Sequence, residues 1–544
     1  MKLLKNFGPL AIVAAVIAGS MLAVGRLPGV PLDDSWNFVL PLKHFLETGV
    51  PVFDSFNSAA AVLHLLAAWP FAKVFGLSFE LTVAVNLLVS VATVFVVYRL
   101  AREAGQGQAA SAMLALAFWA APPVFVTAYT FQSDPIFVLV MAAALVGFAR
   151  FARTYDRRAL MVGSLLAALS IWGKMHGVLI APAMVAAIVV DRRLRQRATA
   201  GDAAWLVLPT AVSYLAFKLA QPTVHPVRIT LERKFGEFHD RLISPMVWIE
   251  DGSWRTAAAI VSIGFYLLPF AAALFFTPGW RKRLTRMRAF GAGVIGLGLS
   301  LGIWSAIWFM DAPWAEYASV ILEPPSMAPF GPWIGVLALG FVGLPLLAVV
   351  LVGGSSEDDP GHERAARRSQ AIVAAFVLAG QTALMIPILL YMDRYFLVLL
   401  PPAILLVAAL APRGKPRWWI FIPILIAILA FDVVRVRQYR NGAEAQWEAA
   451  DELVASGVPP LQIDGGYAWF GWHNFENCPV TGGEGQPTSA WVRELCPSAS
   501  PDYQVTFYPP GSGQGWKLER PIPYESGGLP GAREGYVQRR EPVE

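Results

Sequence analysis

Asp33 and Asp34 stand side by side in Pro31-Leu32-Asp33-Asp34-Ser35-Trp36, just past the first long apolar run of a chain that otherwise avoids charge. Two adjacent carboxylates can deprotonate a hydroxyl nucleophile or hold a divalent cation. Their plainer alternative is a solvated loop or a helix N-cap. Three more charged residues lie at the ends of later apolar runs: Asp134 in Ser133-Asp134-Pro135, Lys174 in Gly173-Lys174-Met175-His176, and Arg394 in Asp393-Arg394-Tyr395. An arginine fork and a lysine point charge together suit a phosphate. Each residue also has a structural reading. Asp134 before Pro135 makes a good cap, Lys174 can snorkel to a membrane interface, Arg394 can anchor a span, and His176 suits a packed or interfacial position. His64 lies in an amphipathic stretch, and nothing in the sequence fixes its direction.

These residues need elements to position them, and composition says which kind. Of 544 residues 56% are hydrophobic and 15% charged, and the mean hydropathy is +0.52. The class is therefore mainly α: a polytopic helical membrane protein, because runs this long and uniformly apolar suit helices and no β-barrel. The formal charge of +5 does not point to nucleic acid, since the basic residues are spread from loop to loop.

Apolar runs predict spans near Leu10–Val24, Leu81–Tyr98, Ala110–Val126, Ile136–Phe151, Leu160–Trp172, Val178–Val190 and Trp205–Leu219. Others follow near Ala257–Phe276, Gly291–Phe309, Trp333–Val352, Ala371–Leu390, Phe396–Leu410 and Trp418–Val434. That makes about 13 spans. With the N-terminus inside, six alternate loops are all rich in Lys or Arg. They hold Arg99/Arg102, Arg153/Arg157/Arg158, Arg192/Arg193/Arg195/Arg197, Arg281–Arg288, Arg364/Arg367/Arg368 and Arg413/Lys415/Arg417. The positive-inside rule then puts these on the cytoplasmic side, and the acidic pair, Asp134, Lys174, the Gln221–Arg255 loop, Asp311–Pro332 and Arg394 on the other. The expected location is the plasma (inner) membrane, with the active site extracytoplasmic.

Residues 1–434 read as the membrane domain, within which 25–80 form a first outer loop of short interfacial helices. The loop Ser355–Pro360 is acidic and carries no evident chemistry. Residues 435–544 turn Gly-, Pro- and Ser-rich, with a helix over Ala443–Ala455 and short alternating strands such as Tyr503–Tyr508, so a small extracytoplasmic α/β or mostly β domain is expected. Both cysteines, Cys478 and Cys496, fall in it. In an oxidising compartment a disulfide between them would contribute about 3 kcal/mol, the alternative being two thiols.

Taken together, the motifs resemble the membrane glycosyltransferases of the GT-C fold, in particular the protein O-mannosyltransferase and lipid A aminoarabinose transferase group. The resemblance rests on Asp33-Asp34 in the first outer loop, Ser133-Asp134-Pro135, Gly173-Lys174, and Asp393-Arg394-Tyr395 followed by Pro401-Pro402. Ile463-Asp464-Gly465-Gly466-Tyr467 with Trp469, Gly471, Trp472 and His473 is similar to the outer domain of bacterial members. It implies a polyprenyl-phosphate-linked sugar as donor and a lipid, glycan or protein as acceptor, with inversion at the anomeric carbon. One acid of the pair, Asp33 before Asp34, would be the general base. Lys174 and Arg394, with Tyr395, would bind the leaving phosphate. Asp134 would orient the acceptor or share a divalent metal with Asp33. Where aminoarabinose transferases carry a Glu-Lys-Pro-type element, this chain reads Asn57-Ser58-Ala59-Ala60-Ala61-Val62-Leu63-His64. That leaves donor binding one cation short, a role open to His64 or Arg228, while His176 is a further substrate-binding candidate.

Two readings from other classes compete. A transporter or lipid-glycan flippase would show inverted repeats and midplane charges; no repeat is visible, and the charges gather at one face. A non-catalytic assembly protein would use Tyr467, Trp469, Phe470, Trp472 and His473 to stack on glycan, where a small-domain core is the plainer use of these rings.

Overall fold

The computed structural model describes residues 2–53, 61–224, 229–277, 342–351, 361–388, 393–413, 415–478, 489–507, 515–525 and 532–541, with isolated positions between 291 and 340. Most of the expected span Gly291–Phe309, the expected loops Asp311–Pro332 and Ser355–Pro360, and the candidate Arg228 lie outside the described residues.

The described apolar runs are helices, as a backbone without water to bond requires. In order they are α1 (Lys2–Val24), α2 (Ser35–Thr48), α3 (Val62–Phe75), α4 (Phe79–Glu103), α5 (Gln108–Trp119), α6 (Pro122–Ala128) and α7 (Asp134–Thr154). Then come α8 (Arg157–Ser170), α9 (Ile180–Val190), α10 (Arg192–Arg197), α11 (Ala200–Val224), α12 (Ile229–Ile243), α13 (Pro245–Tyr266) and α14 (Leu268–Phe275). After the undescribed stretch come α15 (Gly361–Met385), α16 (Leu400–Leu410) and α17 (Trp418–Ala455). By length and composition four described helices can cross a membrane, α4, α7, α11 and α17, or six if the bent pairs α5–α6 and α13–α14 each count as one. Shorter apolar helical stretches accompany them, among them Gly8–Val24, Met175–Val190 and Arg394–Leu410.

Three local expectations need correcting. The run Ala110–Val126 is not one straight helix but α5 and α6, bent by 64°. Pro122 and Pro123 supply no N–H to continue the α5 ladder, yet suit the first turn of a new helix. The stretch Gln221–Arg255 is largely helical rather than a loop, since α11 runs to Val224 and α12 and α13 follow. Leu231, Phe235, Phe238 and Leu242 already carry the 3–4 spacing of an amphipathic helix. Finally, the last span does not stop near Val434. It continues through Arg435, Arg437, Gln438 and Arg440, all good helix formers, and joins the helix expected at Ala443–Ala455.

That 38-residue helix is roughly 57 Å long, about twice the thickness of a bilayer core, so it carries the tail on a continuous backbone. The tail holds β1 (Ile463–Asp464), α18 (Tyr467–Asn474), α19 (Ala490–Leu495), β2 (Tyr503–Thr506), β3 (Trp516–Glu525) and β4 (Ala532–Arg540). Its sheet order is β1-β2-β4-β3, with β1 and β2 parallel and the rest antiparallel, a small α/β unit. Cys478 and Cys496 are disulfide-bonded. The tail core is not made by the tail alone. Trp36 and Leu40 of α2 pack with Ala449, Ile463, Trp469, Phe470 and Val537. The helix that follows the acidic pair is thus shared between the two parts of the chain.

Candidate active site

Adjacent residues on a strand point to opposite faces, so aiming two neighbouring carboxylates at one target requires a turn. Asp33 makes it, with φ of +50°, a left-handed conformation that Asp tolerates better than most residues. Asp34 then occupies the N-cap position of α2, but its side chain makes no cap bond. Both carboxylates instead meet Arg394, from a 3-10 turn at Asp393–Leu399. Nη1 donates to Asp33 Oδ2 at 2.9 Å and Nη2 to Asp34 Oδ2. The N-cap reading of the pair is therefore wrong for the side chains.

The two acids are held differently. Asp34 Oδ1 accepts from the Tyr467 hydroxyl at 2.6 Å, so each of its oxygens has a donor. On Asp33 both side-chain donors fall on Oδ2, Gln132 Nε2 at 2.7 Å and Arg394, and Oδ1 takes no side-chain hydrogen bond among the described residues. Burial, and after it the Asp34 charge, push the Asp33 carboxyl up to about 6, against the pull of Arg394. The turn itself is fixed by Ser35, whose Oγ accepts from the Phe131 N–H at 2.9 Å and donates to the Leu32 carbonyl at 2.5 Å.

Asp134 and Lys174 form the second pair. Asp134 is the first residue of α7, with Ser133 in the cap position, and its Oδ1 accepts from Lys174 Nζ at 2.7 Å. It serves as an ion-pair partner rather than as a cap. Lys174 lies between α8 and the 3-10 turn Met175–Leu179, which folds back on the end of α8. Gly177 permits that close return, because a Cβ there would lie 2.2 Å from Ser170 Oγ. The ring of Tyr395 links the two pairs, with Lys174 Nζ 5.6 Å and the Arg394 guanidinium 5.8 Å from its centre. Donor capacity remains on both cations. Arg394 Nε is buried with no hydrogen-bond partner among the described residues, and Lys174 spends one of its three N–H groups on Asp134. An anionic oxygen would satisfy both.

The histidines are placed close by. His64 is buried, its ring 3.9 Å from that of Phe131, and its Nε2 has no partner among the described residues. The His176 carbonyl accepts from Gln381 Nε2 at 3.2 Å, and its Nδ1 likewise lacks a partner among the described residues. Both imidazoles feel the charge of Asp134. Gln132, a residue whose type alone carries no chemical signal, sits directly before Ser133-Asp134 and reaches Asp33. The sequence offers the Tyr467 ring for a small-domain core or for stacking on glycan, whereas its hydroxyl is what reaches the site.

A divalent metal shared by Asp33 and Asp134 does not fit this arrangement. Each carboxylate already faces its own cation, and among the described residues no group of three or more His, Cys, Asp or Glu side chains could hold an ion.

Residues 60–217 match the model of a family described as dolichyl-phosphate-mannose-protein mannosyltransferase. The matched span is under a third of the chain and contains Gln132, Asp134, Lys174 and both candidate histidines, but not the acidic pair or Arg394. No curated protein matches the chain in sequence. Among solved structures the chain is similar to ArnT from Cupriavidus metallidurans bound to undecaprenyl phosphate, at 14% identity over 98% of both chains, with a TM-score of 0.43. It is also similar to the archaeal oligosaccharyltransferase AglB from Archaeoglobus fulgidus in complex with an inhibitory peptide and a dolichol-phosphate. There the identity is 13%, the TM-score 0.44, and the alignment covers 92% of this chain and 64% of that one. The arabinofuranosyltransferase AftD from Mycobacteria shares 13% identity at a TM-score of 0.35, covering 98% of this chain and 40% of that one. The molecule itself is a mainly helical membrane protein with a small α/β tail, and part of it is similar to the mannosyltransferase family.

Proposed function

We propose that this protein is an integral membrane glycosyltransferase that moves a sugar from a polyprenyl-phosphate-linked donor to an acceptor hydroxyl on the extracytoplasmic side. Asp33 is the general base. Its Oδ1 takes the acceptor proton as the acceptor oxygen attacks the anomeric carbon, and the bond from that carbon to the phosphate oxygen breaks with inversion. The polyprenyl phosphate leaves with one more negative charge. The Arg394 Nε and the spare Lys174 N–H groups stabilise that charge as it develops. Tyr395 holds the two cations side by side, and Asp134 keeps Lys174 oriented. His64 and His176 lie within reach of the Asp134 charge, and their nitrogens without partners among the described residues suit acceptor or donor hydroxyls.

The observation that carries this reading is the unequal treatment of the two acids. One carboxylate has a side-chain donor on each oxygen, Arg394 and Tyr467, while the other carries both of its side-chain donors on one oxygen and has a raised proton affinity. A base poised near the working pH is what general-base catalysis asks for. The matched span at residues 60–217 supports the transferase class. The plasma membrane location and outward-facing site rest on the charge alternation of the loops.

The test is donor consumption. Purified protein in nanodiscs is incubated with a panel of radiolabelled polyprenyl-phosphate hexoses and pentoses, with membrane lipid extract as acceptor. Loss of label from one donor supports the reading and names its sugar. If every donor remains intact although polyprenyl phosphate binds, the transferase reading is wrong.

A further inference from the structure

Tyr467 belongs to the tail, over four hundred residues from Asp34 in sequence, yet its hydroxyl donates to Asp34 Oδ1 at 2.6 Å. We infer that the tail domain is a working part of the active site and that Tyr467 is a positioning residue, holding Asp34 on Arg394 so that Asp33 alone is left to act as the base. This rests on the assignment of Asp33 as the base.

The contact is built from several sides. Trp36, two residues after Asp34, lies edge-on to the Tyr467 ring at 5.8 Å and is fully buried. Its indole occupies the space above Gly471, where a Cβ would sit 2.3 Å from the Trp36 ring. Any side chain at 471 would therefore push Trp36, and with it the start of α2, out of place. On the tail side, Asp464 Oδ1 accepts from the Gly466 N–H at 3.2 Å and so fixes the start of α18, which carries Tyr467. The other end of the acidic loop is tied to the shared helix α17. Glu444 pairs with Arg26 and accepts from the Gly29 N–H at 3.2 Å, while Arg440 donates to the carbonyls of Arg26 at 2.6 Å and Val24 at 3.2 Å.

The loop 25–34 is thus held on the tail side by side chains from α17 and α18, and on the bundle side by Gln132 and Arg394. Burial and the Asp34 charge keep the Tyr467 hydroxyl protonated well above its ordinary range, so it acts as a donor throughout the working pH range. Removing that hydroxyl takes a neutral donor from the charged form of Asp34. Asp34 then binds a proton more tightly and competes with Asp33 for the first one, because a hydrogen bond to the charged form of a carboxylate lowers its pKa.

Two measurements test this, using the full-length protein in nanodiscs. In the donor-consumption assay, Tyr467→Phe should lower turnover about tenfold and move the acid limb of the pH profile down by up to about one unit, since a proton held on Asp34 leaves Asp33 free and removes the charge that raises it. Tyr524→Phe, elsewhere in the tail, should leave the limb in place. Independently of any donor, hydrogen exchange of the amides in 26–36 should quicken by about tenfold in Tyr467→Phe and in Gly471→Ala, with α7 and α8 unchanged. An unshifted limb overturns the positioning role, and unchanged exchange in both variants overturns the clamp. If Asp33→Asn is inactive while Tyr467→Phe matches wild type, only this inference fails. If Asp33→Asn is fully active, the base assignment fails with it.

Discussion

Asp33 and Asp464 are both buried carboxylates, and their surroundings differ in kind. Asp464 accepts from Ser489 Oγ at 2.6 Å, Trp491 Nε1 at 3.1 Å, the Gly466 N–H at 3.2 Å and Gln504 Nε2 at 3.5 Å. All four donors are neutral, all belong to the tail, and both oxygens are occupied. Asp33 has one neutral side-chain donor, the Asp34 N–H and half of an arginine fork shared with a second acid, and its other oxygen takes no side-chain donor among the described residues. Burial raises the proton affinity of both groups. A carboxylate saturated by neutral donors from its own domain is a scaffold. One set against a cation at a boundary between domains, with its side-chain donors on one oxygen only, is equipped for proton transfer.

That contrast can be broken most severely at Arg394. Arg394→Met leaves two buried acids without their cation, and breaking a buried ion pair this way costs about 3–5 kcal/mol. Thermal unfolding in detergent should fall accordingly, and turnover should vanish. A variant that melts like wild type would mean that the pair is solvated and the site is not formed as described. Reducing the Cys478–Cys496 bond should cost about 3 kcal/mol, with the loss confined to the tail; protease cutting should appear there first while the bundle stays protected. Asp464→Ala leaves several tail donors without an acceptor, for about 2–3 kcal/mol. It should also loosen the tail more than it affects the melting of the bundle, and an equal effect on both would erase the distinction between scaffold and site. The pH profile sharpens the comparison last. A base must be deprotonated to act, so turnover should decline as pH falls through about 6, the value to which Asp33 is raised. Asp464→Asn should keep that limb.

Much of this was legible in the sequence. Long apolar runs must be helices, and the charged residues at their ends marked the place where the chain converges. Asp33, Asp34, Asp134, Lys174 and Arg394 do meet, and the pairing of Cys478 with Cys496 followed from their place in one small domain. Partner choice was hidden. Nothing local tells that Lys174 takes Asp134 while Arg394 spans both acids, because the register of helix ends is set by packing across the bundle. The Tyr467 contact was equally hidden, since it joins segments at opposite ends of the chain. The bend at Pro122-Pro123 and the amphipathic period of α12 were present in the residues, but hydropathy alone passes over both. The unbroken α17 follows from helix-forming residues that a change of composition had disguised as a boundary.

The central claim is that Asp33, not Asp34, takes the proton, and the direct measurement compares Asp33→Asn with Asp34→Asn in the donor-consumption assay across pH. Asp33→Asn should fall by at least about a hundredfold, the usual loss for a general base, and what activity remains should have no limb near 6. Asp34→Asn should fall less and keep a limb, moved to lower pH because the Asp34 charge no longer raises Asp33. Wild-type turnover in Asp33→Asn, with the loss and the limb tracking Asp34 instead, would contradict the account.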